Sequence, residues 1–204
     1  VSDITSSFTE RTKASLRETL LEAATALLAE HGHAGLRMAD VAAAAGVSRQ
    51  TVYNEFGNKT ALVEAVALRT TAEFLEGIRT LFEDAPDLLT GMHRAVVFTI
   101  EHARENKLVA AALGTTAGED LLPLLTTKGE PVLSAATELA AARYLEFLPA
   151  LDEPTARLLA ETASRLALSH LVLPTHPAAE AADMVCAALG PAIAAHSSTL
   201  ECEK

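Results

Sequence analysis

The stretch MADVAAAAGVSRQTVYNEFGNK, residues 38–59, spells two short helices joined by a tight turn. Val41, Ala42 and Ala45 fall on the inward side of the first helix, and its alanines let another backbone come close. Gly46 ends it: the residue just past a helix commonly adopts the left-handed conformation, which costs a residue with a Cβ about 1 kcal/mol or more. Val47 is placed to plug the turn into the core. Ser48 is a good N-cap for a second helix beginning at Arg49, on which Val52 and Phe56, four apart, share one apolar face. The opposite face carries Arg49, Gln50, Tyr53 and Asn54. Guanidinium, amide and phenol groups at the exposed N-terminal end of a helix suit base edges and phosphates, and the charge mixture of an ordinary solvent face is missing until Glu55. The reading is a helix-turn-helix. An ordinary helical domain could also contain a helix, a glycine turn and another helix, but that leaves the polar face unexplained.

This segment resembles the TetR-type bacterial transcriptional regulators, whose DNA-binding segment looks like GVSxxTxYxxFxxKxxL. Gly46, Val47, Ser48, Thr51, Tyr53, Phe56, Lys59 and Leu62 keep every spacing. The likeness covers the stretch from Arg11 to Ala67, and the remainder is similar only in length and helical character. The resemblance implies that Tyr53 contacts one phosphate, that Lys59 at the start of the following helix binds another, and that Arg49, Gln50 and Thr51 reach bases or backbone. Asn54 departs from the His of many relatives. It can still donate to a phosphate or pair with adenine, so the departure bears on the preferred sequence rather than on binding. Arg37 and Ser48 complete the DNA-facing set within the motif. Arg11, Lys13 and Arg17, at the exposed start of the preceding helix, either reach a phosphate or minor groove or are solvated charges on a helix end.

Half of the 204 residues are hydrophobic, alanine and leucine dominate, and no stretch sustains the period-2 alternation of a strand, so an all-α chain of about nine helices is expected. A net charge of −11 is unusual for a DNA-binding protein until it is divided along the chain. Through Thr60 there are six basic and seven acidic residues, whereas the remainder holds ten basic and twenty acidic ones. The acidic end repels DNA and leaves binding to a few placed cations. Two cysteines, Cys186 in an apolar helical stretch and Cys202 in the polar tail, suggest neither a disulfide framework nor a metal knuckle. The opening VSDITSSFTERTK lacks the apolar core of a signal peptide, and no uncharged apolar run long enough for a membrane follows, so a cytoplasmic protein without membrane contact is expected.

Periodicity and breakers predict a flexible arm over 1–8, then a helix over 9–30 with Leu16, Leu20, Ala24 and Leu27 on one stripe. After the motif, a connector helix spans 59–82, carrying Leu62, Val66, Phe74, Leu75 and Ile78. Proline and glycine punctuate the rest into helices over 86–105, 107–113, 121–148, 153–173 and 178–195, the third kinked or split near Gly129 and Pro131. The expected division is a three-helix DNA-binding domain with its arm over 1–58 and a larger helical ligand-binding and dimerisation domain over 59–204.

The larger domain has two tasks. A single recognition helix reads too few bases, so a homodimer on a palindromic double-stranded operator is expected. Leu158, Thr162, Leu166, Ser169 and Val172 form one candidate interface stripe, and Ala182, Val185, Cys186, Leu189 and Ile193 another, in a four-helix arrangement with the symmetry mates. The alternative is that these stripes cover the chain's own core. The second task is to sense a small molecule. Met92, Val96, Thr99 and Ile100, with His102 as a weaker polar candidate, face Leu139, Tyr144 and Phe147 as a candidate apolar lining, and the scarcity of aromatic surface suits an aliphatic ligand. Arg143 interrupts the second stripe and either anchors a ligand carboxylate or snorkels to solvent along its stem.

The strings SRQTVYNEFG and SHLVLPTHP are similar to those of a subgroup of these regulators found beside alkane-hydroxylase genes in high-GC bacteria. That resemblance implies a repressor released by a medium or long-chain fatty acid or a related product of alkane oxidation; a multidrug-sensing repressor of an efflux gene is the alternative. Enzyme chemistry lacks its parts. The Glu-x-x-His spacing of a di-iron site occurs only at Glu30 and His33, there is no HExxH, and His93, His102, His170, His176 and His196 are scattered, so no cofactor or metal is expected. A nucleoid protein that binds DNA without sequence preference conflicts with the acidic second domain.

Overall fold

The computed structural model describes residues 2–114 and 122–197. In chain order the helices are α1 Ser2–Gly35, α2 Met38–Ala44, α3 Arg49–Phe56, α4 Lys59–Glu83, α5 Leu88–Glu105 and α6 Lys107–Gly114, then α7 Glu130–Phe147, α8 Glu153–Val172 and α9 Ala178–Ser197. A 3-10 turn, Leu122–Leu125, precedes α7. The all-α expectation holds, with no strand among the described residues.

Local chemistry accounts for most helix ends. Ser48, Asp87 and Asp152 stand just before α3, α5 and α8, and each side chain accepts the backbone N–H three residues on. Those hydrogen bonds, from Thr90 and Thr155, hold the Asp87 and Asp152 carboxyls below the usual carboxylate range. Asp87 also explains why α5 begins at Leu88 rather than at Pro86. Pro131 sits in the first turn of α7, where its missing N–H costs nothing, and the expected kink is resolved into a separate 3-10 turn followed by α7. Of the residues expected as an arm, 2–8 continue α1, and no Gly or Pro precedes Gly32 to interrupt the helix. Gly32, at φ 66° and ψ −179°, breaks the helix close to its expected end.

Contacts divide the chain into two units, Val1–Thr70 with Lys107–Leu122, and Thr71–Asn106 with Pro123–Lys204. The cut falls inside α4. In the first unit, Leu20, Leu21, Ala24 and Leu28 of α1 are buried, as are Val41, Val52, Leu62 and Val66. The α1 stripe is thus turned by about one residue from the expected one, with Leu16 and Leu27 only half-buried. In the second unit α5 packs on α9 and α7 on α8, around a core that includes Met92, Ile100, Tyr144, Ala160 and Val185. Small residues on α8, namely Ala156, Ala160, Ala163 and Ala167, let the helices approach closely.

By length and composition α9 could cross a bilayer over Ala178–His196. It carries Glu180 and Asp183, however, and buries Ala181, Ala182, Val185, Leu189 and Ile193 in the core.

Candidate nucleic-acid interface

The turn between α2 and α3 is built by backbone hydrogen bonds. Gly46 N–H donates to Ala43 O at 3.2 Å and Val47 N–H to Ala42 O at 2.9 Å, the paired bonds of a Schellman ending, with Gly46 at φ 68°. A Cβ on Gly46 would meet nothing within 4 Å, so the backbone conformation and not space requires glycine. Ser48 Oγ then accepts Thr51 N–H at 3.1 Å and lies 2.8 Å from Thr51 Oγ1, which starts α3 and fixes the Thr51 hydroxyl.

Helix α3 is two-sided. Val52 is fully buried and Phe56 nearly so, while Arg49, Gln50 and Asn54 are exposed and Tyr53 half-exposed. The exposed side chains are paired along the helix. Arg49 donates to the Tyr53 hydroxyl at 3.1 Å, and Gln50 Nε2 donates to Asn54 Oδ1 at 2.8 Å. The Tyr53 hydroxyl hydrogen bond raises the Arg49 pKa further above its ordinary value. These i,i+4 pairs present two groups of defined orientation along one edge of the helix, which is what a major groove reads.

The other proposed contacts are placed differently. Lys13 and Arg37 are exposed, and Arg37 occupies the position before α2 without capping it. Arg11 is also exposed. Lys59, at the start of α4, has its Nζ 3.5 Å from Ala34 O. Arg17 is committed elsewhere: it ion-pairs with Glu55 at 2.8 Å and lies 4.7 Å over the Phe56 ring, which ties α1 to the recognition helix. Asn58 caps α4, a role the sequence reading missed. Its Oδ1 accepts Ala61 N–H at 2.9 Å, and an Asn directly before a helix is the signal for this.

In the second unit, Met92, Val96 and Ile100 are buried with Tyr144 in one core, and Phe147 packs against it. Thr99 and Leu139 are half-buried, and the Thr99 hydroxyl is used by Ala95 O at 2.7 Å. His102 is exposed, stacked on Phe98 with centroids 4.8 Å apart and set edge-on to Phe74 at 5.0 Å. The candidate lining carries more aromatic surface than expected: Phe82 lies 6.3 Å from both Tyr144 and Phe147, so tertiary packing adds one ring to the two already in it. Arg143 is only partly exposed; its Nη1 ion-pairs with Glu146 at 2.7 Å, while its Nε is buried without a hydrogen-bond partner among the described residues. Burial, and then Cys186, raise the Tyr144 pKa well above the usual range, keeping its phenol protonated.

The two candidate interface stripes separate. On α8, Leu158 is 66% exposed, Ser169 is exposed, and Thr162, Leu166 and Val172 are half-exposed, so this face is available. On α9 the expectation is corrected: Ala182, Val185, Leu189 and Ile193 are buried in their own core, where α9 meets α5, and Cys186 is half-buried with its thiol 3.7 Å from Leu89 O. The outward side of α9 carries Met184, Ala187, Ala188 and Ala192 instead. Cys202 lies outside the described residues.

Residues 20–66 match the family model described as bacterial regulatory proteins, tetR family, and residues 87–191 match that of the bacterial tetracyclin repressor C-terminal domain. The chain is 29% identical over 168 residues to the HTH-type transcriptional regulator AlkX of Mycobacterium tuberculosis, covering 82% of this chain and 80% of that protein. Among solved structures it is similar to the TetR family repressor AlkX from Dietzia sp., implicated in biodegradation of n-alkanes. That similarity has TM-score 0.71 and 28% identity, covering 87% of this chain and 97% of the other. A TetR-family regulator from Pectobacterium atrosepticum shares the fold, with TM-score 0.63 and 20% identity over 88% of this chain and 93% of the other.

Proposed function

We propose, for a chain that belongs to the TetR family of bacterial DNA-binding transcriptional regulators, that it acts as a homodimeric repressor released from a palindromic operator by an apolar small molecule. It is a regulator and not an enzyme, as its relatives are. The observation that carries the proposal is the α3 face, where Arg49, Gln50, Tyr53 and Asn54 point outward in fixed pairs while Val52 and Phe56 anchor the helix. Two such helices occupy successive major grooves roughly 34–36 Å apart. Lys13, Arg37 and Lys59 hold phosphates, and the α8 face of each protomer meets its symmetry mate. Ligand shifts α4 relative to the motif through Gly57 and Asn58, and a small tilt spoils the half-site spacing.

The likeness to a repressor implicated in biodegradation of n-alkanes and the apolar lining support a medium or long-chain fatty acid or a related product of alkane oxidation as the ligand. The grouping of Phe82, Tyr144 and Phe147 favours a second reading, a multidrug sensor that takes planar aromatic cations. A footprint on the chain's own upstream DNA, repeated with decanoate, decan-1-ol and a cationic dye, tests all of this. A protected palindrome released by an aliphatic probe is expected. Release by the dye alone would replace the ligand class, and binding without sequence preference would overturn the regulator's mode of action.

A further inference from the structure

Arg17, Arg69, Arg79, Arg143 and Arg165 each meet a carboxylate at 2.6 to 2.8 Å. Arg49, the first residue of the recognition helix, is held differently. Its Nη2 donates to the Tyr53 hydroxyl at 3.1 Å, and its Cζ lies 5.2 Å from the centre of the Tyr53 ring. A neutral phenol one helical turn on restrains the guanidinium without neutralising it, so the side chain is ordered while its charge stays available to DNA.

The guanidinium has two edges that each present a pair of parallel N–H groups, one formed by Nε and Nη2 and the other by Nη2 and Nη1. Tyr53 takes a hydrogen of Nη2, and whichever it takes, the other edge is left complete on an exposed side chain. Two parallel donors match O6 and N7 of guanine in the major groove. Adenine offers a donor beside its acceptor there, and a pyrimidine offers at most one acceptor. A phosphate oxygen is met from many directions, as by a lysine, whereas a base edge is read only by a guanidinium kept in the plane of the base, and the Tyr53 contacts supply that restraint. The neighbouring side chains are occupied with one another. Ser48 Oγ and Thr51 Oγ1 lie 2.8 Å apart, and Gln50 donates to Asn54 at 2.8 Å.

We propose that Arg49 reads a guanine in each operator half-site through hydrogen bonds to O6 and N7, and that Tyr53 is its positioning residue, the phenol oxygen accepting from Arg49 while its own proton donates to phosphate. The inference rests on the operator-binding reading above and deepens it by assigning a base to a side chain. It gives Tyr53 a part in specificity beside the phosphate contact that the family resemblance implies.

Duplexes selected from a random pool by the intact wild-type protein supply the probe. Each guanine of the selected duplex is then replaced singly by 7-deazaguanine, which lacks the N7 acceptor and keeps O6 and the pairing edge. One such replacement in a half-site is expected to cost the wild type about tenfold in affinity. Arg49→Ala should bind parent and replaced duplex equally, and Tyr53→Phe, which keeps the ring and removes the acceptor, should show a ratio of only about threefold. Because the readout is a ratio between two duplexes, a general loss of affinity or of folded protein in a variant cancels. Replaced duplexes that all bind the wild type as tightly as the parent would overturn the proposal, as would a wild-type ratio for Arg49→Ala. A wild-type ratio for Tyr53→Phe, with both affinities lowered alike, would reduce Tyr53 to a phosphate contact and overturn its positioning role. A pool that yields no common sequence is a distinct result: it would sink the operator-binding reading itself, and the proposal with it.

Discussion

Arg17 of α1 and Glu55 of α3 meet at 2.8 Å across 38 residues of chain, with the Glu55 carboxylate mostly shielded and the Arg17 guanidinium resting over Phe56. The pair consumes a cation that would otherwise be counted toward the phosphate backbone. Arg17→Ala should therefore lower stability by about 1–2 kcal/mol, from a partly shielded ion pair and a cation–π contact. It should weaken binding to every sequence alike while leaving the salt dependence of operator binding unchanged. Lys59→Ala should do the opposite, with little effect on folding and a shallower log K against log salt slope by about 0.9. Gel-shift titrations over a range of salt, beside thermal melts, decide between them; a changed slope for Arg17→Ala would mean that it touches DNA after all.

The Gln50 amide donates to Asn54 Oδ1 at 2.8 Å, which leaves Gln50 Oε1 as an acceptor and Asn54 Nδ2 as a donor on the exposed edge of α3. That order matches the N6 donor and N7 acceptor of adenine in the major groove. Each half-site is expected to contain an adenine whose replacement costs about 1–3 kcal/mol with the wild type and much less with Gln50→Ala. Competition binding with single-base operator variants reads this directly, and a uniform loss across all variants would contradict it.

Glycine substitutions separate conformational from steric cost. At Gly46 the space is open but φ is 68°, so Gly46→Ala should destabilise by about 1–2 kcal/mol without displacing neighbours. At Gly77 a Cβ would stand 2.4 Å from the Phe98 ring, so Gly77→Ala must move that ring and unstack His102, at a cost of about 1–3 kcal/mol. Denaturant melts give both numbers, and the chemical shifts of the His102 ring should change only for Gly77→Ala.

The opposite exposures of α8 and α9 lead to different outcomes for the same substitution. Leu158→Glu, on a side chain 66% exposed, should break dimers while leaving the helical content intact. Val185→Glu, at 1% exposure, should unfold the second unit, because it buries an unpaired carboxylate. Sedimentation velocity and circular dichroism on the two variants distinguish these effects; an intact Leu158→Glu dimer would move the interface off this face.

The parts legible in advance share one property: their causes lie within a few residues of one another. Ser48, Gly46, Asp87 and Asp152 punctuate helices through bonds to backbone groups three to five residues away, so α2 to α9 fall close to where periodicity and breakers put them. The α3 face was legible for the same reason, since Val52 and Phe56 pick its inner side and the rest must face out. Residues 2–8 lie in α1 where polar composition suggests an arm, because polar composition says little about a segment that nothing interrupts.

The sequence by itself determined the all-α class, the helix-turn-helix and the polar set on its recognition helix. Only the tertiary structure decided that Arg17 pairs with Glu55, that the apolar stripe of α9 is core while that of α8 stays open, that Phe82 brings aromatic surface to Tyr144 and Phe147, and that Thr137 Oγ1 and Arg143 Nε of α7 are buried without a hydrogen-bond partner among the described residues. A helical period identifies an apolar face but not the neighbour that covers it, and a lone polar residue does not say which partner it will meet. Those choices are made by packing between segments far apart in the chain, where burial and desolvation outweigh local preference.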